Sequence, residues 1–222
     1  MYMKDTQGIF FKDFNNSYVP HILKELYIDK IYDQFFAGKK DLTILDLGAN
    51  VGLFSFYVYP FAKTIYAVEP SFEHFDTLNQ MLMFNHMTDK VIPIQKAIAL
   101  NDGKAEFFLN TNTTAYSLSE NMRSNGCGSE EVETIKLDTL FTQYEIDHVD
   151  FMKLDIEGTE CEIVGSDTFE KVADKVENIV VEYHTWSGVN PSLLATALKD
   201  YGFTVYSIPT DATIIAGVRE ND

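Results

Sequence analysis

The sequence predicts an α/β protein built on a doubly wound, mostly parallel sheet that ends in an antiparallel hairpin. Three observations carry that expectation. Thr43-Ile44-Leu45-Asp46-Leu47 is an apolar run that ends near an acid, turns through Gly48-Ala49-Asn50-Val51-Gly52 and continues into an apolar stretch, the pattern of a buried strand, a tight turn and a helix start. Strand-like runs at 64–68 and 91–95 flank a helical pattern from Ser71, and β-α-β-α-β order implies parallel strands joined by right-handed crossovers. Near the C-terminus, 203–206 and 213–218 lie close enough across Pro209-Thr210-Asp211 to pair as a hairpin.

Each element follows from its own pattern. Residues 1–19 carry Phe10, Phe11, Phe14 and Tyr18 without a clear period and suggest a short hairpin or cap. From 20 to 36, Ile22, Leu23, Leu26, Ile31 and Phe35 recur at helical spacing, and Gly38 marks the stop. Residues 1–41 therefore read as an N-terminal cap segment, and 42–222 as the body of what is a single domain overall. Ser71 is placed to N-cap a helix with Phe72, Phe75, Leu78 and Leu82 on one face. Two alternating stretches, 105–109 and 132–136, suggest further strands. The polar segment between them, 111–129, has the length of a loop that is either functional or disordered, and it reads as a lid over substrate or, alternatively, as a mobile surface loop. A fourth core strand runs over 149–155 and leads into a helix around 160–169; a fifth runs over 179–184. Asn190-Pro191 opens a helix with Leu193, Leu194, Ala197, Leu198 and Tyr201 facing inward, and Gly202 ends it.

Composition narrows the function classes. The 222 residues hold 34 acidic and 17 basic side chains, a formal net charge of −17. Such a surface repels phosphate backbones, so neither nucleic acid nor an anionic membrane is expected as a partner. The two cysteines, Cys127 and Cys161, form no C-x-x-C and sit beside no histidine cluster, which fits reduced thiols and a cytoplasmic location. No apolar stretch is long enough to span a membrane, and the start lacks an apolar signal-peptide core.

Two constellations carry chemistry. In the first, Asp46 and the Gly48, Ala49, Asn50, Gly52 turn would meet a nucleotide with backbone N–H groups; Asn50 replaces a turn glycine because Asn tolerates positive φ. Seventeen residues after Gly52, the next strand ends in Glu69-Pro70, where an acid can accept hydrogen bonds from both ribose hydroxyls. In the second, the fourth and fifth strands carry charges where buried parallel strands are apolar. Lys153 and Asp155 share one face, as do Glu182 and His184, all at the carboxyl ends where open α/β sheets bind ligands. Lys153 with Glu182 reads equally as a packing network. Asp155, Glu157 and His184 read as catalytic, with His184 the base at an ordinary pKa near 6.5 and the two acids positioning. No metal-ligand spacing is evident, so no metal is expected. Asn112, Tyr116, Ser117 and Trp186, with Lys153 and Glu182, are candidate substrate contacts.

The motifs Asp46-Leu47-Gly48-Ala49-Asn50-Val51-Gly52, Val68-Glu69-Pro70, Leu137-Asp138-Thr139-Leu140, Lys153-Leu154-Asp155-Ile156-Glu157-Gly158-Thr159-Glu160 and Val181-Glu182-Tyr183-His184 together resemble the FkbM family. The resemblance runs from about Ile44 to His184. It implies a class I, Rossmann-like methyltransferase using S-adenosylmethionine, acting on a hydroxyl of a small molecule, sugar or natural product. It places Asp46, Gly48, Ala49, Asn50, Gly52, Glu69, Pro70, Ser71, Ala97 and Asp155 around the cofactor. The third strand leads into Gln95-Lys96-Ala97-Ile98 with no acid for the adenine amino group, so backbone and apolar packing would recognise the base. A small-molecule or sugar acceptor is the expected partner, and a homodimer is a compatible assembly. Two other readings remain open: an NAD(P)-dependent oxidoreductase on a similar sheet, and a cofactor-binding module without turnover.

Overall fold

The computed structural model describes residues 2–4, 10–12, 18–110, 116–118, 128–188, 190–208, 211 and 213–219. Strands β1 (Tyr2–Lys4) and β2 (Phe10–Lys12) pair antiparallel, the expected N-terminal hairpin. Helix α1 (Tyr18–Lys24) and α2 (Asp33–Phe36) precede strand β3 (Leu42–Leu47) and helix α3 (Leu53–Val58). Strand β4 (Ala62–Val68), helix α4 (Phe72–Phe84) and strand β5 (Val91–Ile94) complete the first half. Then come β6 (Ala97–Ile98), β7 (Gly103–Phe108), β8 (Ser129–Ile135) and α5 (Leu137–Gln143). The second half holds β9 (Phe151–Leu154), α6 (Glu160–Val164), α7 (Asp167–Glu170), β10 (Asn178–Glu182), α8 (Pro191–Asp200), β11 (Thr204–Ser207) and β12 (Ile214–Val218).

Seven strands form the main sheet in the order β11-β12-β10-β9-β3-β4-β5. β10, β9, β3, β4 and β5 are parallel; β12 is antiparallel to both β10 and β11. The strand order reverses between β3 and β9, and their carboxyl ends open a crevice there, the place where such sheets bind ligands. A second sheet, β6-β8-β7, is inserted after β5.

Side-chain alternation splits the core into two layers. Ile44, Ile65, Phe151 and Val180 enter one cluster with α1, α2 and α3, whereas Leu45, Leu47, Met152, Leu154, Ile179 and Val181 enter another with α5 to α8. Phe36 anchors the first layer. It is fully buried, and its ring meets Phe54, Phe61 and Phe151 with centroids 6.5, 5.5 and 4.9 Å away. Burying such a side chain contributes about 1.5–3 kcal/mol. The same alternation puts Asp46, Lys153 and Glu182 on the face beneath α1 and α2, at the carboxyl ends of their strands.

Several local expectations need correction. The single helix over 20–36 is two: α1 runs into a π-helical turn (Glu25–Asp29), Lys30 takes φ 53°, and α2 starts afresh. The helix over 160–169 is likewise split at Gly165 into α6 and α7, with the Ser166 side chain capping α7. Ser71 stands at the N-cap of α4, but its side chain makes no cap bond. Phe72 and Leu193 are exposed, on the outer edges of their helices. Asn190 does cap α8, its Oδ1 accepting from the Ser192 N–H at 3.0 Å. The lid expectation falls on 111–115 and 119–127, which lie outside the described residues. Among the described residues no helix is long and apolar enough to cross a membrane.

Candidate active site

The turn after β3 is built by backbone. The Gly48 and Ala49 N–H groups both donate to Val68 O, at 3.0 and 2.9 Å, and Asp155 N–H donates to Leu47 O at 3.0 Å. These bonds tie the ends of β3, β4 and β9 together. Gly48 has φ 80°, and a Cβ there would lie 1.7 Å from Asp155 O, so the close approach excludes any side chain. Asn50 takes φ 50°, as its residue type allows, and its Oδ1 accepts from Val51 N–H at 2.8 Å. Glu69 then braces the turn. Its Oε2 accepts from Asn50 N–H at 2.8 Å and its Oε1 from Ser71 N–H at 2.9 Å. His74 Nδ1 lies 3.6 Å from the same Oε1. Asp46 is fully buried behind the turn. Ser55 Oγ donates to its Oδ2 at 2.6 Å, and Oδ1 has no hydrogen-bond partner. Burial raises its pKa, opposed by Lys153 and the Ser55 hydroxyl.

The second constellation is a charge cluster around His184. Its Nδ1 is 2.9 Å from Oε1 of the fully buried Glu160; its Nε2 is 3.2 Å from Glu157 Oε2 and 3.9 Å from Asp155 Oδ1. Glu160 also accepts the Gly158 N–H at 2.9 Å and the Ile156 N–H at 3.2 Å, so one carboxylate orients the imidazole and shapes the turn after β9. In that turn Glu157 has φ 57° and Gly158 φ 106°. Ser117 Oγ donates to Glu157 O, joining the inserted sheet to the turn. Lys153 Nζ reaches Asp155 Oδ2 at 2.8 Å and Gly48 O at 3.4 Å. Burial pulls the Lys153 pKa down, but Asp155 and Asp46 outweigh it and hold the ammonium charged.

These surroundings remove the ordinary pKa expected for His184. Burial opposes its charge, yet the Glu160 hydrogen bond and the charges of Glu157 and Asp155 push it up to about 10. Burial and Asp155 raise Glu157 to about 9, and Asp155 and burial raise Glu182 to about 8. The ligand atoms of Asp155, Glu157 and His184 lie within 4.8 Å of one another, close enough to share a cation, and the same holds for His148, Asp150 and Glu177 at the far end of the sheet.

A cavity of about 520 Å³ runs over both constellations. Gly48, Ala49, Asn50, Glu69, Pro70, Ala97, Tyr116, Lys153, Asp155, Glu157, Glu182, His184 and Trp186 all reach its wall, so most residues expected at the site are brought together. Asp46, Gly52, Ser71 and Ser117 support that wall from behind. Asn112 lies outside the described residues. Tyr116, expected at the substrate, lies on the cavity wall. Its ring stacks on His74 at 4.9 Å and 17° and meets Phe107 edge-on, packed against the cluster that holds Ala97 of β6. Sequence reasoning missed His74, Glu25, Tyr32 and Asp211, which also line the cavity. Glu160 stood in a quoted motif, but nothing in the sequence marks a fully buried glutamate.

The pattern that describes the methyltransferase FkbM domain matches residues 46–205. The chain belongs to that family. A methyltransferase of Sordaria araneosa, sdnD, is 30% identical over 216 residues, covering 83% of this chain and 82% of that protein. A hexuronic acid methyltransferase of Haloferax volcanii, AglP, is 24% identical over 187 residues, covering 83% and 74%. Among solved structures, a Streptococcus mutans protein in complex with S-adenosylhomocysteine aligns with TM-score 0.54 at 8% identity over 86% of this chain and 97% of that one, a likeness of fold. FkbM proteins of this fold use S-adenosylmethionine, which replaces the dehydrogenase alternative. The residues present suit that cofactor: a turn too tight for a Cβ at Gly48, a strand-end Glu69, and on the cavity wall Asp155, whose buried Oδ1 lacks a hydrogen-bond partner.

Proposed function

We propose that this methyltransferase acts on a hydroxyl oxygen of a small molecule or sugar. The observation that carries the reading is His184, held between Glu160 and Glu157 on the wall of the cavity that also contains the cofactor turn. The relative named a hexuronic acid methyltransferase supports a sugar-like acceptor. Gly48 to Asn50, Glu69, Pro70 and Asp155 hold the cofactor, with Tyr116, Ala97 and Ile98 as the apolar wall for its base. S-adenosylmethionine supplies an electrophilic methyl group for in-line displacement. The chain's part is to place the acceptor oxygen and remove its proton.

An imidazole held at about 10 is charged at neutral pH, so His184 alone is not the base. The couple of His184 and Glu157, whose facing atoms are 3.2 Å apart, is: a cation placed beside them lowers both pKa values. Asp155 and Glu160 position the couple. The sign of the pH dependence follows. Both groups are raised, so the proton-accepting form grows as pH increases, and kcat climbs from neutral into the alkaline range. Glu157→Gln removes a charge that raises His184, and it should move that limb toward lower pH. An unmoved limb would rule the couple out. His184→Ala should lower kcat by about 10²–10⁴-fold with cofactor affinity unchanged. The methylated atom is read with carbon-13 methyl-labelled S-adenosylmethionine and hydroxylated acceptors. Carbon NMR should show a methyl ether; a methyl on nitrogen, carbon or sulfur would refute the O-methyl reading.

A further inference from the structure

We propose that the acceptor carries a positive charge, an amine beside its reacting hydroxyl, and that Glu182 with Glu25 binds it. This rests on the methyltransferase reading above and names the substrate class of the same cavity. Strand β10 and the N-terminal segment both contribute to the cavity wall, through Glu182 and Glu25. Glu25, Asp155, Glu157, Glu182 and Asp211 all line the cavity, close enough that Asp155 and Glu25 act on Glu182 and Asp211 acts on Glu25. The cations nearby are already committed. Lys153 is held by Asp155 at 2.8 Å, and His184 is shared by Glu157 and Glu160. His21, largely exposed, pairs with Glu25 at 3.0 Å. Asp211 Oδ1 accepts from the Thr213 N–H and hydroxyl at 2.8 and 2.6 Å. Among the described residues the Glu182 side chain, unlike its backbone in the ladder with β12, has neither a hydrogen bond nor an ion pair.

A carboxylate on the wall of a cleft, with no ion pair of its own and facing other carboxylates that Lys153 and His184 only partly offset, is an unfavourable arrangement in the free protein. It becomes favourable when a ligand brings the missing charge. The electrostatics agree: Asp155 and burial raise the Glu182 pKa against Lys153 and His184, which lower it, while burial raises Glu25, opposed by His21 and reinforced by Asp211. Backbone geometry points the same way. Glu25 opens the π-helical turn (Glu25–Asp29), a local irregularity common at functional sites, and that turn brings Glu25 and Leu26 to the cavity wall. An ammonium group between Glu182 and Glu25 has charge-assisted acceptors on two sides, whereas an acetylated amine keeps the scaffold, adds bulk and loses the charge. A carboxylate there meets like charge.

The experiment uses the full chain and matched sets of hydroxylated compounds on hexose, cyclitol and amino-alcohol scaffolds. Each set contains an amine, its N-acetyl form and a carboxylate analogue, such as glucosamine, N-acetylglucosamine and glucuronic acid. Methyl transfer is followed from labelled S-adenosylmethionine, and calorimetry gives Kd for S-adenosylmethionine and S-adenosylhomocysteine separately. An amine member should be the best acceptor of its set by about tenfold or more. Glu182→Gln should raise its KM by a similar factor, and both cofactor Kd values should stay unchanged. The proposal is overturned if no amine outperforms its N-acetyl and carboxylate partners. It is overturned equally if Glu182→Gln weakens S-adenosylmethionine instead, since the carboxylate would then serve the cofactor's own cation. Failure of wild-type protein to bind either cofactor form is a separate result and counts against the parent reading.

Discussion

A methyl group added at Gly48 would sit 1.7 Å from Asp155 O, against backbone that is itself held by the Asp155–Leu47 hydrogen bond. The neighbours cannot yield without parting β3 from β9. Gly48→Ala also forces a side chain into φ 80°, which alone costs about 1–3 kcal/mol. It should lower the unfolding free energy by more than that and abolish cofactor binding, as denaturant titration and calorimetry would show. Asn50→Gly is the control. Its φ of 50° is easy for glycine, and the bond its N–H donates to Glu69 belongs to the backbone, so the turn should survive. At this scale the sequence was legible where a residue type has one physical use: a glycine at a close approach, an Asn at positive φ, an acid at a strand end. It was not legible where the environment sets the property. His184 looks like an ordinary imidazole until Glu157 and Glu160 are placed around it.

Elements show the same division. The apolar runs gave all five parallel strands because burial on both faces demands continuous hydrophobic sequence. The π-helical turn after α1 was hidden, since Ile22, Leu23 and Leu26 keep helical spacing up to it and the break arises from tertiary packing. Helix α5 supplies a prediction about acid stability. Asp138 accepts from the Thr168 hydroxyl at 2.7 Å and from Lys171 Nζ at 3.0 Å, joining α5 to α7. Burial works against its charge, yet Thr168, Lys171 and Lys136 together lower its pKa to about 2. A depressed carboxyl stabilises the fold above its unfolded pKa, near 4, and loses that contribution as pH falls toward 2. Asp138→Asn should therefore be less stable than wild type at pH 7 by about 1 kcal/mol, with the gap closing through that window. A gap independent of pH would show that the shape of the side chain matters rather than its charge. At α8, Asn190→Ala should cost about 1 kcal/mol through loss of the bond to Ser192.

For the whole molecule, the two-layer sheet assigns the two constellations their places. The strand order reverses between β3 and β9, so the Gly48–Gly52 turn and the Lys153–Asp155 pair lie side by side. The N-terminal helices close that face with aromatic packing, which is why the cavity wall includes Glu25 and Tyr32. The inserted sheet contributes Phe107 and Tyr116 from the other side and is fastened to the Glu157 turn through Ser117. Long-range placement of this kind has no local signature, so the stacking of Tyr116 on His74 could not be read from sequence. The most direct test of the account is a calorimetric titration of S-adenosylmethionine into wild-type and Glu69→Ala protein. Glu69 is expected to hold the ribose while bracing the Asn50 and Ser71 amides, so one-to-one binding to wild type should weaken by about tenfold or more in the variant, which should remain folded. Equal affinity in both proteins, or no binding to folded wild type, would contradict it.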